Sequence, residues 1–105
     1  MFEFDEDTEK ILEITEVFLV RYFGQTEAGA HALLRRLLSE YAERIDADFI
    51  HHESAFGMAL VAHYLLVEGG ELGSLREWSR KAGYQSPPAE ALEYFRANYF
   101  LRASP

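Results

Sequence analysis

The stretch AFGMALVAHYLLV, residues 55–67, decides the fold of this chain. It is apolar on nearly all sides, with His63 as its lone strongly polar residue, so a helix formed here has no face suited to water. Gly69 and Gly70 follow it directly and predict where that helix ends. The run is too short to cross a bilayer. We therefore predict a central, buried helix near residues 49–67, with other helices packed around it.

Two helices are predicted before this central one. Asp5 or Asp7 is placed to cap the first helix and Gly24 to end it, while Thr26 is placed to cap the second. Apolar residues recur at helical spacing in both segments, which gives each helix one apolar face. These residues are Ile11, Ile14, Phe18 and Tyr22 in the first segment and Ala30, Leu34, Leu37 and Tyr41 in the second.

Two shorter helices are predicted after the central one. Ser74 and Glu77 have the spacing of a capping box, so a fourth helix should begin there and end near Gly83. Ser86 and Pro87 suit the N-cap and first position of a fifth helix. Its predicted core face holds Leu92, Phe95 and Tyr99. Because no useful run alternates with a period of two residues, we predict an all-α fold, a single-domain bundle of about five helices over residues 1–105.

Acidic residues are concentrated in the first two-thirds of the chain. Residues 1–71 carry a net charge of −10 and residues 72–105 a net charge of +2, which together give the −8 of the whole chain. A field of one sign attracts partners of the opposite sign. It argues against general binding to nucleic acid or to anionic membranes, because that binding needs clustered Lys and Arg.

The compartment is predicted from two absences in the sequence. There is no cysteine, so the chain has no disulfide, no thiolate metal site and no thiol nucleophile. The first residues lack the basic and apolar regions of a signal peptide. We expect a soluble, cytoplasmic protein.

The first helix carries a stripe of carboxylates that predicts a binding surface. Glu9, Glu13 and Glu16 fall at i, i+4 and i+7, so they line one face of the helix. Like charges at this spacing repel, so the stripe costs stability unless solubility or a basic partner compensates, and for the set of acids as a whole we favour a binding surface. Tyr94 and Phe100 lie off the predicted core face of the last helix and suit an interface with that partner or within a homodimer. The predicted partner-binding residues are Asp5, Asp7, Glu9, Glu13, Glu16, Asp46, Asp48, Glu53, Tyr94 and Phe100.

Size, helicity and charge indicate a class of function. In these respects the chain resembles the acidic helical immunity proteins of nuclease bacteriocins. The leading hypothesis is a non-enzymatic inhibitor of the immunity or antitoxin type, which masks a basic protein such as a toxin. No catalytic, cofactor-binding or metal-binding residues are assigned, since the chain has no Gly-x-Ser-x-Gly motif and no phosphate-cradling glycine loop.

A cluster of histidines and acids supports a second alternative. Asp48 and His52 stand at i and i+4, close enough on one helical face to reach the same metal ion, and His51 and Glu53 are adjacent to His52. His63 lies eleven residues beyond His52, about three turns along the helix. The spacing differs from His-Glu-x-x-His. A helical protein that binds a metal or a small molecule is therefore kept as an alternative, as is pH sensing by the histidines.

The segment 75–96 supports a different alternative, a dimeric DNA-binding regulator. Its two short helices and glycine turn, with several basic residues nearby, have the form of a helix-turn-helix. The segment resembles the DNA-reading unit of AraC-type regulators in Leu75, Trp78, Ala82, Gly83, Tyr84, Ser86 and Tyr94. It differs at Pro87, Pro88 and Glu90, which occupy the start of the helix that would read the bases.

Overall fold

A computed structural model describes residues 5–45, 47–83 and 87–100 of the chain, and the side chains at 47, 48, 51–54, 72 and 100 also lie outside the description. Five α-helices run through these ranges, with shorter helical turns between them and after them. The α-helices are α1 (Glu6–Phe23), α2 (Glu27–Glu40), α3 (Ala47–Ala62), α4 (Leu75–Lys81) and α5 (Ala89–Phe95). A π-helical turn, His63–Val67, continues α3, a 3₁₀ turn, Leu72–Ser74, precedes α4, and a second π-helical turn, Arg96–Phe100, continues α5. The predicted all-α bundle is confirmed.

Caps define α1 and α2 where the sequence predicts them. Asp5 is the N-cap of α1, and its Oδ1 accepts a hydrogen bond of 2.8 Å from the backbone amide of Thr8. Gly24 ends the helix in the left-handed region at φ 73°, where a residue without Cβ is favoured. Thr26 caps α2 through a 2.9 Å bond from the amide of Gly29 to its Oγ1. Asp7 lies inside the first turn of α1, where its charge complements the helix dipole.

The core forms around α3, as predicted for the apolar stretch. From residue 55 to residue 62 of α3, every residue except Gly57 is buried. α1 packs along α3, and α2 contacts both helices. The largest fully buried apolar side chains come from these three helices: Phe18, Leu19, Leu37, Ile50, Met58 and Val61. Burying side chains of this size stabilises a fold by roughly 1.5–3 kcal/mol each, so these three helices supply most of the hydrophobic stabilisation.

Tyr64 fixes the backbone after the first π-helical turn, at the predicted glycine pair. Gly69 adopts φ 74°, and the amide of Gly70 returns to the carbonyl of Tyr64 at 2.9 Å. The buried Tyr64 hydroxyl donates to the carbonyl oxygen of Glu71 at 2.8 Å and accepts from its amide at 3.1 Å. A Cβ at position 70 would overlap the Tyr64 ring, so glycine is needed there for close approach.

The predicted capping box of α4 does not form. Ser74 occupies the N-cap position, but its side chain makes no capping hydrogen bond. It is the last residue of the 3₁₀ turn, its amide bonds to the carbonyl of Glu71, and its backbone lies at φ −102°, ψ 3°. A capping hydroxyl needs an extended backbone at this position, so the turn removes the geometry that the motif requires. Glu77 instead pairs with Lys81 at 3.2 Å.

The start of α5 also differs from the prediction. Ser86 lies outside the described residues, and Pro87 is not helical; Pro88 takes the N-cap position, and the helix begins at Ala89. The reason is the second proline, because a residue that precedes proline is kept out of the helical region.

The predicted faces of α5 are wrong at two positions, Leu92, which was placed on the core face, and Tyr94, which was placed off it. Leu92 is 44% exposed, whereas its neighbour Ala91 is 1% exposed. Tyr94, Phe95 and Tyr99 pack against the core as partly buried side chains. The small Ala91 therefore takes the position of closest approach, and the inward face is rotated away from Leu92.

Candidate protein-binding surface

Three of the predicted partner-binding residues line one groove. Glu9, Glu13 and Glu16 of α1 form one wall of a surface groove of about 360 Å³, which we call the α1–α2 groove. The rest of its lining is Leu12 from α1 and His31, Leu34, Arg35 and Leu38 from α2. The i, i+4, i+7 spacing thus places the carboxylates where α1 faces α2, at the edge of the core.

The floor of the α1–α2 groove is apolar. Leu12, Leu34 and Leu38 are all buried members of the hydrophobic core. Glu9 and Glu13 are exposed, and Glu16 is half-buried. Carboxylates above a leucine floor suit the long side chains of Lys and Arg, whose methylene stems favour apolar contacts while their charged ends remain near water.

The two walls of the groove differ in charge. The α1 wall carries the three carboxylates, whereas the α2 wall carries Arg35 and His31. Sequence reasoning missed both α2 residues. No local motif marks them, because they join the site only through the packing of α2 on α1.

A contact between His31 and Glu16 crosses the groove. Nδ1 of His31 lies 3.1 Å from Oε2 of Glu16, with the histidine side chain 55% exposed. An exposed pair of this kind contributes little to stability. The contact instead orients the Glu16 carboxylate toward α2.

Asp5 and Asp7 lie near the end of the chain's last described helical turn. Burial raises the pKa of Tyr99, and Asp7 and Asp5 raise it further. The second π-helical turn packs on α1, and the Tyr99 ring stacks on Phe95 with centroids 4.9 Å apart. Tyr99 therefore lies within the field of the α1 N-terminus.

Tyr94, a predicted partner-binding residue, packs against α1. Its ring meets Phe18 edge to face at 5.8 Å, and the guanidinium of Arg21 lies 4.8 Å from its centroid. Tyr94 is half-buried, so only part of the ring is accessible. Its role toward a partner stays a prediction.

The other predicted residues are not placed relative to this groove. Asp46 lies outside the described residues. Asp48 and Glu53 belong to α3 and Phe100 to the second π-helical turn, with their side chains outside the description. His51 and His52 of the predicted metal cluster also belong to α3, and their side chains also lie outside the description.

His63 forms a separate small site. Its Nε2 lies 3.1 Å from Oε2 of Glu68, and its ring packs near Phe23 and Trp78, with centroid distances of 5.0 and 6.3 Å. Its buried Nδ1 has no hydrogen-bond partner among the described residues. No group of three or more His, Cys, Asp or Glu side chains placed to hold a metal ion occurs in the part of the chain that the structure describes.

The segment compared with a helix-turn-helix is described only in part. α4 and α5 flank it, but residues 84–86 of the connection lie outside the described ranges. Arg76, Arg80 and Arg96 are exposed. Whether this pair of helices has the geometry of a DNA-reading unit stays a prediction.

The chain matches no protein-family model, no curated protein and no solved structure. Among the described residues, no helix has the length and apolar character needed to cross a membrane.

Proposed function

We propose that this protein is a non-enzymatic, acidic binding module that masks a basic partner protein, and most concretely an inhibitor of the immunity or antitoxin type. The observation that carries the proposal is the α1–α2 groove, where Glu9, Glu13 and Glu16 form one wall above buried leucines.

The chemistry of the groove supports recognition of Lys or Arg. A basic side chain can lay its stem on Leu12, Leu34 or Leu38 and bring its charged end to the α1 carboxylates. Charge attraction accelerates the encounter and makes association sensitive to salt. Apolar contacts then slow dissociation.

The groove gathers three acids on one helix, whereas other acids of the chain stand beside a basic residue. Glu40 pairs with Arg36 at 2.6 Å, and Glu77 pairs with Lys81, each within its own helix. On the α1 side, the groove lining holds three carboxylates and no Lys or Arg, and Glu16 contacts His31 of α2. Mutual repulsion on this wall is relieved when a basic partner binds.

The experiment is capture from a native lysate with tagged protein, elution by a salt gradient and identification by mass spectrometry. A stoichiometric basic protein released as salt rises is the expected result. The capture is repeated with the Glu9→Gln, Glu13→Gln, Glu16→Gln triple variant, which should retain far less of that protein.

A matched control removes three exposed acids that do not line the groove: Glu43→Gln, Glu90→Gln and Glu93→Gln. This variant has the same net charge as the first one, so it separates the groove from general acidity. Equal loss of the partner in both variants would contradict a role for the groove. Capture of nucleic acid or of no protein would contradict the proposed function as a whole.

A further inference from the structure

A second surface depression adjoins the α1–α2 groove. It measures about 380 Å³ and is lined by Glu13, Glu16, Val17, Val20, Arg21 and Glu27. Glu13 and Glu16 line both depressions, so the two form one continuous surface along the outer side of α1.

The character of this surface changes along α1. Glu9, Glu13, Glu16 and Val20 fall at i, i+4, i+7 and i+11, which places them on one face of the helix. The first three are acids and the fourth is an apolar side chain that is 37% exposed. The half-buried Val17 adds to the apolar end. The surface thus has an acidic end and an end where Val17 and Val20 lie beside Arg21 and Glu27, which we call the apolar end after the two valines.

We infer that this surface binds one helix of the partner, which carries basic side chains at i, i+4 and i+7 and an apolar side chain one turn beyond them. This inference rests on the proposed function and deepens it, because it specifies the segment of the partner that is recognised. Charge complementarity selects the basic residues, and the exposed valine selects the apolar one.

The spacing of the carboxylates favours a helix over an extended segment. Along the α1 axis Glu9 and Glu16 are about 10.5 Å apart, from a rise of about 1.5 Å per residue. A second helix with the same pattern repeats this spacing. Same-side residues of an extended strand advance by about 6.7 Å, so two steps cover about 13.4 Å and overshoot the third carboxylate by about 3 Å, a poorer match than a helix gives.

The opposite wall sets the orientation of the bound helix. Arg35 lines the α2 side, so a basic residue facing Arg35 meets like charge. Arg21 is held on the face of the Tyr94 ring and lies at the apolar end. The partner helix is therefore expected to turn its basic residues toward α1 and to present neutral or acidic residues to α2.

The test uses two synthetic helical peptides of identical composition, each about four turns long. The patterned peptide has Lys at i, i+4 and i+7 and Leu at i+11, and it is made in both chain directions. The scrambled peptide distributes the same residues around the helix. Each is titrated into the full-length, isotope-labelled chain and followed by heteronuclear NMR.

The expected result is saturable binding of the patterned peptide in one direction, at least about tenfold tighter than the scrambled peptide. The shifted resonances should come from the outer side of α1 and the facing side of α2. Val20→Ser should weaken the patterned peptide roughly fivefold, because it removes apolar contact. Val67→Ser, at another exposed valine, should leave its affinity unchanged.

Several results would overturn the inference. They are equal binding of both peptides, binding of neither, shifts centred away from α1, or equal effects of the two valine substitutions. The proposed function fails separately if the lysate capture returns nucleic acid or no protein, and the role of the groove fails if the α1 triple variant retains the basic protein. If the triple variant loses the partner but both peptides bind equally, the proposed function is retained and recognition of a patterned helix is excluded.

Discussion

The hydroxyl of Tyr64 bonds both backbone polar groups of Glu71, donating to the carbonyl at 2.8 Å and accepting from the amide at 3.1 Å. This pair of bonds fixes the chain just beyond the glycine turn that ends the central helical segment. Gly69 and Gly70 lie between Tyr64 and Glu71, so these bonds close the short loop that leads toward α4.

Tyr64→Phe should destabilise the protein, because it leaves both groups of Glu71 without the hydroxyl. The expected loss in the free energy of unfolding is about 1–3 kcal/mol. Urea denaturation followed by circular dichroism measures it. A loss below about 0.5 kcal/mol would mean that solvent replaces the hydroxyl without cost.

Tyr22→Phe makes the same substitution at a hydroxyl that has no such bonds within the described part of the chain, so the opposite effect on stability is expected. The Tyr22 hydroxyl is buried and has no hydrogen-bond partner among the described residues, while its ring packs edge to face on Phe18 and Phe56. Removing an unpaired buried hydroxyl keeps the ring contacts and removes a desolvation cost, so stability should be unchanged or higher by about 1 kcal/mol. The same urea titration applies. A clear loss of stability would show that the hydroxyl is bonded in solution.

Gly70→Ala should destabilise the turn, because the added Cβ would overlap the Tyr64 ring. That ring is buried and bonded to Glu71, so it has little freedom to move away. The expected loss is about 1–3 kcal/mol. Gly73→Ala is the control, since a Cβ there meets nothing within 4 Å, and its effect on the thermal midpoint should be small.

Asp7→Asn should lower the pKa of Tyr99 toward its ordinary value. Burial is the largest cause that raises this pKa, and Asp7 is the next. Neutralising Asp7 removes only its part, so the pKa should stay above the ordinary value of about 10. NMR titration of the Tyr99 ring checks this, with Glu6→Gln as a control because Glu6 is not among the causes. An unmoved titration would place Tyr99 beyond the field of Asp7.

Because its pKa is raised, Tyr99 should make the protein less stable as the pH rises above about 10. Because the folded pKa of Tyr99 lies above the unfolded one, its neutral form is favoured by folding. Its contribution is fully present below the unfolded pKa of about 10 and is lost as pH rises through the folded pKa. Comparing the protein with Tyr99→Phe across this range isolates the effect.

Most segments with local sequence signals were predicted correctly, whereas details that depend on packing were not. Asp5, Gly24 and Thr26 are local caps, and their geometry depends on a few neighbouring residues, so both ends of α1 and the start of α2 were predictable. Ser74 has the same local motif, but the preceding 3₁₀ turn sets its backbone and cancels the cap. Leu92 was misplaced because periodicity ranks residues by hydrophobicity, whereas packing gave Ala91 the position of closest approach.

The candidate site was predictable on one wall only. The spacing of Glu9, Glu13 and Glu16 places them together on α1 without any knowledge of the fold. The contact of Glu16 with His31 and the place of Arg35 in the lining depend on how α2 lies against α1, over a sequence separation that no local pattern reports. The change from acidic to apolar along α1 also needed burial, since only the structure distinguishes the exposed Val20 from the buried Leu19.

The Glu9→Gln, Glu13→Gln, Glu16→Gln variant should slow association with the basic partner much more than it changes stability. The three side chains keep their size, while the charge that steers the encounter is removed, so the association rate at low salt should fall by roughly tenfold or more. The dependence of that rate on salt should become flatter for the same reason. Stopped-flow mixing at several salt concentrations measures both, and thermal unfolding confirms that the variant is folded. An association rate equal to that of the unmodified protein, with the same salt dependence, would exclude this wall of the α1–α2 groove from the binding site.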